Sequence, residues 1–190
     1  RSVSVAPVCS RHATANVTTC GLPCTADGEP SRSRSVVGLD AMRIGSLSAE
    51  VRELAALGIR GVILFGIPSV KDATGSGAHD PDGIVQVALR RLREENGDSV
   101  VLMADLCVDE YTSHGHCGVL NARGDVDNDA TLDVYCRAAL AQATAGAHVV
   151  APSGMMDGQV GAIRATLDGA GLTDVAIMAY SAKYASGLYG

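Results

Sequence analysis

Short apolar runs that alternate with amphipathic segments are the feature that most constrains how this chain can fold. The four runs lie near residues 61–67, 99–105, 148–152 and 175–180. Each run is apolar throughout, which is typical of strands buried on both faces in a parallel sheet covered by helices. The segments between the runs predict amphipathic helices over 48–57, 82–96, 131–145 and 157–169. The sequence therefore predicts an α/β fold with parallel strands.

Two architectures share this rhythm, a doubly wound sheet and a (β/α)₈ barrel. No G-x-G-x-x-G follows the first apolar run, which weakens the dinucleotide-binding alternative. Polar side chains that could take part in catalysis or binding lie where the runs end, namely Asp105, Ser153, Ser181 and Lys183. In a barrel that edge carries the active site. Because a full barrel needs eight strands, the pattern corresponds to about the first four β/α units.

Composition excludes some classes of function. The 190 residues carry a net charge of −6, which argues against a nucleic-acid partner. No apolar run is long enough to span a membrane, and the first residues lack the apolar centre of a signal peptide, so we expect a cytoplasmic protein. Residues 1–35 are polar and without period, which predicts an N-terminal arm or a poorly ordered extension. Residues 36–190 form the predicted catalytic domain.

A glycine-punctuated loop after the second apolar run carries the candidate metal ligands. Its sequence, MADLCVDEYTSHGHCGVL over 103–120, brings together Cys107, Asp109 and Cys117. Two thiolates and a carboxylate suit a borderline-soft ion such as zinc and leave a position open for water or substrate. Reduced cysteines without a metal are the alternative interpretation. With six cysteines in a chain of this length and no secretion signal, thiols or metal ligands are favoured over disulfides.

The candidate nucleophile is Lys183, one of only two lysines against thirteen arginines. Carbinolamine and Schiff-base chemistry requires a primary amine, which arginine cannot supply. The other lysine, Lys71, lies in a polar segment and is interpreted as an ordinary loop charge. Asp105 could orient an amine or relay protons, or simply bond its own loop. Ser153 and Ser181 are candidate substrate hydrogen-bonding groups, although serines at strand ends also satisfy backbone groups.

Four long stretches of the chain carry a resemblance to a known family: LFGIPSVKDATGSGAHDPDG, ADLCVDEYTSHGHCGVL, VVAPSGMMDGQVGAIR and IMAYSAKYASGLYG. From about residue 36 to the end, the chain resembles the porphobilinogen synthase (5-aminolevulinate dehydratase) family. The resemblance implies a (β/α)₈ barrel whose N-terminal arm wraps a neighbouring subunit, usually in a homo-octamer. It also implies a hydro-lyase of tetrapyrrole (heme) biosynthesis, which condenses two molecules of 5-aminolevulinate into porphobilinogen with loss of two waters.

The resemblance assigns roles to individual residues. Lys183 matches the first of the family's two active-site lysines, and Asp105 matches an aspartate that faces the substrate. His116 would support the metal or bind a second ion. Zinc-dependent members carry three cysteines where this chain has Cys107, Asp109 and Cys117, so the resemblance leaves zinc and magnesium both open.

Two positions depart from the family pattern. Gly154 stands where the family has an acid, and Gln159 stands where it usually has arginine. The second active-site lysine and the lid arginines, which the resemblance places further along, do not occur in these 190 residues, so we expect an N-terminal part of a longer enzyme. Two other hypotheses remain open at this point: another Schiff-base (β/α)₈ lyase of the aldolase type, and a non-catalytic metal-binding relic.

Overall fold

The computed structural model describes residues 2–8 and 40–182, with side chains from residue 46 onward. Its strands and helices, in chain order, are β1 (Ser2–Val8), β2 (Asp40–Arg43), α1 (Ile44–Ala56), β3 (Gly61–Ile67), α2 (Ile84–Asn96), β4 (Val101–Leu106), α3 (Asn128–Thr144), β5 (Val149–Pro152), α4 (Gln159–Gly169) and β6 (Ala176–Ile177). A single 3₁₀ turn (Ser76–Ala78) precedes α2. The alternation of strands and helices from residue 44 onward confirms the predicted α/β pattern.

The four predicted strands lie side by side in chain order, as the first strands of a barrel do. The sheet order is β2-β1-β3-β4-β5-β6, and β3 through β6 are parallel. Within the described residues the sheet is open, with β2 at one edge and β6 at the other. The fold is thus a partial barrel, as predicted, with the helices in the crossover connections between parallel strands.

Strands β1 and β2 were not predicted. β1 runs antiparallel to β3 along its whole length, while β2 pairs only with Ser2–Val5 of β1. The sequence SVSVAPV alternates small polar and β-branched residues, a weak strand signal. Among the described strands, Pro7 pairs with Val62 of β3 and lies beyond the residues that pair with β2. The predicted arm, residues 1–35, otherwise lies outside the described residues.

The two faces of the parallel sheet carry different side chains, and this difference positions the site. Val62, Leu102 and Val150 belong to the large core beneath the helices. The alternate residues Ile63, Met103 and Ala151 form a second, smaller apolar cluster on the opposite face. Asp105 is two residues beyond Met103 on β4 and therefore shares that second face, which is the interior of a barrel.

Candidate metal centre and the carboxyl edge of the sheet

Asp105 and Ser153 meet at the carboxyl edge of neighbouring strands. Asp105 is the penultimate residue of β4, and Ser153 directly follows β5. The register pairs Asp105 with Ala151, so the two strands end side by side. The Ser153 hydroxyl donates a hydrogen bond of 3.2 Å to Asp105 Oδ2, and Asp105 is 8% exposed. A buried carboxylate held by a hydroxyl at this edge is suited to orienting an amine or moving a proton.

The loop after β4 folds back so that three candidate ligands converge. Cys107 Sγ, an Asp109 carboxylate oxygen and Cys117 Sγ all lie within 4.8 Å of one another. Cys107 is buried, whereas Asp109 and Cys117 are partly exposed, so one side of the group is open. Two sulfurs and a carboxylate with an open side are a donor set for a divalent ion that keeps a position for a further ligand.

The residues present fit such an ion. Asp109 Oδ1 is buried and has no hydrogen-bond partner among the described residues, a costly state for a carboxylate oxygen. The pKa of the Cys107 thiol is raised well above its ordinary value by the hydrogen bond with Cys117, by burial and by the Asp109 charge. A cation would satisfy the oxygen and offset the clustered negative charge. The chain therefore has a possible metal site, made by Cys107, Asp109 and Cys117.

Hydrogen bonds to the preceding loop fix this arrangement. Asp72 and Thr112 form an isolated parallel bridge, and the Ser113 N–H donates to the Asp72 carbonyl at 2.8 Å. The His114 Nδ1 accepts the His116 N–H, so its Nε2 carries the proton and donates to the Ala73 carbonyl at 3.1 Å. The contacts of His114 are thus those of a structural hydrogen-bonding residue.

The remaining predicted site residues are His116, Ser181 and Lys183. The ring of His116 is exposed, lies 5.3 Å from the ring of His114 between centroids, and is not part of the three-residue group. Ser181 is exposed, and its N–H donates to the Ala179 carbonyl. Lys183 lies outside the described residues. The roles of His116, Ser181 and Lys183 stay predictions.

Glu110 is a site residue that sequence reasoning missed. It follows Asp109 in the loop after β4 that carries the three candidate ligands, which we call the metal loop. Its Oε2 is buried with no hydrogen-bond partner among the described residues. Burial, together with the charges of Asp105 and Asp109, raises the pKa of Glu110 from 4.5 to about 9. Its position next to Asp109 was visible in the sequence, but its burial was not.

This raised pKa makes stability depend on pH. Between about pH 4.5 and 9 the unfolded chain has released the Glu110 proton while the folded chain keeps it, so stability falls as pH rises through this window. We expect the free energy of unfolding of Glu110→Gln, minus that of the parent, to increase by about 1–2 kcal/mol between pH 6 and pH 8. This is less than the full linkage limit, which is about 1.4 kcal/mol for each pH unit.

Urea unfolding of the chelator-treated protein at the two pH values measures this difference. Glu94→Gln is the matched control, because it also removes one carboxylate but does so on the exposed side of α2. A Glu110→Gln effect of the same size at both pH values would show that Glu110 is not held protonated by the fold.

Tyr135 explains why residue 154 is a glycine. A Cβ built on Gly154 would lie 2.0 Å from the Tyr135 hydroxyl oxygen, so no side chain fits there while Tyr135 keeps its place. The second departure is also structural: Gln159 accepts from the Met156 N–H at 3.1 Å and donates to the Gly154 carbonyl at 2.9 Å. Both departures are therefore accommodated by the local packing.

Parallel strands in chain order, with functional side chains at their carboxyl edge, are the arrangement found in (β/α)₈-barrel proteins. The family model for delta-aminolevulinic acid dehydratase matches residues 24–190, beginning earlier than the residue 36 that the sequence motifs indicated. The chain belongs to the delta-aminolevulinic acid dehydratase family.

Individual relatives agree with this assignment. The delta-aminolevulinic acid dehydratase of Streptomyces coelicolor is 54% identical over 164 residues, which are 85% of this chain and 50% of that protein. The Mycobacterium leprae protein of the same name is 62% identical over 135 residues, 70% of this chain and 41% of that protein. The chain thus spans about half the length of the curated relatives that it matches.

A solved structure shares the fold. The chain superposes with a TM-score of 0.78 and 40% identity on delta-aminolevulinic acid dehydratase (porphobilinogen synthase) from Toxoplasma gondii, which was solved in complex with the reaction product porphobilinogen. The match covers 86% of this chain and 47% of that one. Among the described helices of the present chain, none has the length and apolar character needed to cross a membrane.

Proposed function

We propose that this chain is part of a porphobilinogen synthase, which joins two molecules of 5-aminolevulinate into porphobilinogen with loss of two waters. The observation that carries the proposal is the carboxyl edge of the sheet, where Asp105 and Ser153 meet at the ends of β4 and β5 and where Cys107, Asp109 and Cys117 converge in the loop after β4. The Toxoplasma gondii structure, a protein of the same family with its product bound, supports the substrate class.

In this mechanism Lys183 supplies the primary amine that attacks the ketone of the 5-aminolevulinate that becomes the propionate side of the product. In the sequence, Lys183 comes shortly after β6, the last described strand. Asp105, held by the Ser153 hydroxyl, orients the substrate amine and moves protons as water leaves. Ser181 is proposed as a further hydrogen-bonding group for the substrate.

Cys107, Asp109 and Cys117 hold the metal ion in this proposal, and His116 supports the site from the exposed side of the loop. A bound ion would polarise a carbonyl oxygen and orient the substrate. We propose zinc as the ion, with a lower affinity than a three-cysteine site would have, because a carboxylate replaces one thiolate; magnesium is the alternative that Asp109 favours. The family resemblance favours a cytoplasmic homo-octamer as the working assembly.

The aldolase-type alternative uses Lys183 but gives the metal loop no role. The convergence of three ligand atoms within 4.8 Å and the buried, unpartnered oxygen of Asp109 favour the metal-containing reaction. The non-catalytic alternative gives no role to the buried Asp105–Ser153 contact. Both alternatives are therefore less well supported than porphobilinogen formation.

Asp105→Asn tests the proposed role of the carboxylate. This change keeps the shape of the side chain and its contact with Ser153 but removes the charge, so we expect kcat to fall by about 10²-fold, the lower end for loss of a general acid or base. The measurement is porphobilinogen formation from 5-aminolevulinate by the complete protein that contains this chain. Asp82→Asn, at an 87% exposed side chain, is the control. Unchanged kcat in Asp105→Asn would contradict the role of Asp105, and absence of turnover in the parent protein would contradict the proposed function itself.

A further inference from the structure

A polar stripe on the buried face of α3 holds both ends of the metal loop. Thr131, Tyr135 and Gln142 are buried on this helix, each at 2% exposure or less. The Gln142 amide donates to the Asp105 carbonyl at 2.7 Å, where the loop begins. The Thr131 hydroxyl accepts the Val119 N–H at 3.0 Å, where the loop ends. Polar residues at three core positions of one helix are costly unless they are bonded, and each of the three has a hydrogen bond to the segment between Asp105 and Val119. The Gln142 Oε1 is the polar atom of the stripe that has no partner among the described residues.

Tyr135 is the member of the stripe that touches two candidate ligands at once. Its hydroxyl donates to the Cys117 carbonyl at 2.7 Å and lies 3.5 Å from Cys107 Sγ. A phenol has a single proton, and Tyr135 donates it to the Cys117 carbonyl in the shorter contact. In the longer contact either the Tyr135 hydroxyl or Cys107 Sγ can be the donor. When Cys107 is a thiolate, the same hydroxyl can turn its proton to the sulfur. One side chain thereby links two cysteines that are ten positions apart in the sequence.

The Tyr135 hydroxyl occupies the space that a side chain at residue 154 would fill. Tyr135 is fully buried, and Gly154 leaves no Cβ in the space that the hydroxyl oxygen occupies. A methyl group at residue 154 would stand 2.0 Å from that oxygen and 2.7 Å from Cζ. Both contacts are far inside van der Waals distance, so Tyr135 and a larger residue 154 exclude each other.

We infer that Tyr135 is a positioning residue of the metal site, whose hydroxyl holds Cys107 and Cys117 at the separation the ion needs, and that Gly154 is the glycine this hydroxyl requires. The inference deepens the proposed function and rests on the metal site within it. Neither residue is a ligand. Both act through the geometry of the two cysteines, as partners in the outer shell of a metal site do.

Tyr135→Phe in the complete protein is the direct test, because it keeps the buried ring and removes only the hydroxyl. We expect affinity for Zn²⁺, measured by competition with a chromogenic chelator, to fall by about 10–100-fold, the usual cost of losing an outer-shell partner. With Co²⁺ as the probe, the thiolate-to-cobalt charge-transfer band should change in position or intensity. A purely structural role of the hydroxyl would leave that band as it is in the parent. Tyr111→Phe is the matched control: Tyr111 is also a buried tyrosine, but it lies in the loop itself and its hydroxyl lies against Gly66.

Gly154→Ala gives an independent arm that retains Tyr135. It should lower metal affinity as Tyr135→Phe does, by displacing the hydroxyl. The double variant should bind no more weakly than the weaker single variant, because both changes remove the same contact. This coupling is measured on the folded fraction, at a temperature well below the unfolding midpoint of each variant, so a loss of stability does not obscure it.

The possible results distinguish the role of Tyr135 from the existence of the metal site. Parent-like affinity and parent-like cobalt spectra in Tyr135→Phe would overturn the role of Tyr135 while leaving the metal site intact. Fully additive losses in the double variant would overturn the pairing of Tyr135 with Gly154. A parent protein that takes up neither Zn²⁺ nor Co²⁺ at neutral pH would overturn the metal site and the inference together.

Discussion

Replacing Lys183 with arginine is expected to lower porphobilinogen formation by on the order of 10⁴-fold or more, the scale of loss when a covalent nucleophile is removed. Arginine keeps the positive charge and most of the length of the side chain, but its guanidinium stays protonated and cannot add to a ketone. The change therefore removes the nucleophile with little alteration of charge. The measurement is steady-state turnover of 5-aminolevulinate by the complete protein, with circular dichroism as the check on folding.

The chain offers its own control for this experiment. Lys71→Arg makes the same exchange at the only other lysine, which is exposed in the loop after β3. It should retain parental turnover. Borohydride reduction in the presence of 5-aminolevulinate should attach substrate covalently to the peptide containing Lys183, and Lys183→Arg should show no adduct at that position. Near-normal turnover in Lys183→Arg, or an adduct at Lys71 instead, would show that the amine has been assigned to the wrong residue.

The parallel core was predictable because its signal is local. A run such as GVILFGI (Gly61–Ile67) is apolar at every position, which is typical of a strand buried on both faces in a sheet covered by helices. The predicted strand boundaries at 61–67, 99–105 and 148–152 lie within two residues of the observed ones. The last strand is shorter than predicted, Ala176–Ile177 instead of 175–180. β1 escaped prediction because its partner β3 lies more than fifty residues away in the sequence.

The ligand types of the metal loop were also predictable, whereas the hydrogen bonds from α3 that hold the loop were not. The spacing of Cys107, Asp109 and Cys117 within a glycine-containing loop suggested a metal site, and the structure brings their ligand atoms together. The contribution of Tyr135 depends on a tertiary contact between α3 and the loop, and no periodicity in the sequence reports such a contact. The pattern of α3 did contain a signal that could have been used. Thr131, Tyr135 and Gln142 are polar groups at inward positions of an otherwise apolar face, which marks them as bonded to something.

Gly154 shows how a departure from a family pattern can be resolved by packing. As a sequence feature it was only a missing acid at the active edge. In the structure the space beside residue 154 is filled by the Tyr135 hydroxyl, which contacts the metal loop. Gln159 similarly closes the turn between β5 and α4 through two backbone hydrogen bonds. Both residues therefore belong to a self-consistent local arrangement, which weakens the hypothesis of a degenerate relic.

Removal of a thiolate ligand is the second change for which we expect a large effect. Cys107→Ser should reduce Zn²⁺ affinity by more than the roughly 100-fold that loss of an outer-shell partner can cost, because it deletes one of three converging ligand atoms. Chelation of the parent protein should abolish turnover, and Zn²⁺ should restore it in the parent but not in the variant. Cys136→Ser is the matched control, since Cys136 is the one described cysteine that lies outside the group.

The pH dependence of binding follows from the same cluster. Because the pKa of Cys107 is raised by Cys117, burial and Asp109, the thiol is protonated at neutral pH and must release its proton when the ion binds. Apparent affinity should therefore rise with pH, by about tenfold per pH unit for each proton released, and should fade as pH falls. Equal affinity at pH 6 and pH 8 would show that Cys107 does not bind the ion as a thiolate.

Asp109→Cys decides which ion the site is built for. A third thiolate in place of the carboxylate should raise affinity for Zn²⁺ and lower any response to Mg²⁺, since thiolates select soft ions and oxygen ligands select hard ones. If the parent enzyme is activated by Mg²⁺ and loses that activation in Asp109→Cys, the carboxylate is the determinant of a magnesium-dependent site. If the parent already depends on Zn²⁺, Asp109→Cys should tighten binding without a change of metal. Unchanged affinity for both ions in Asp109→Cys would remove Asp109 from the ligand set, and the metal would then rest on the two cysteines alone.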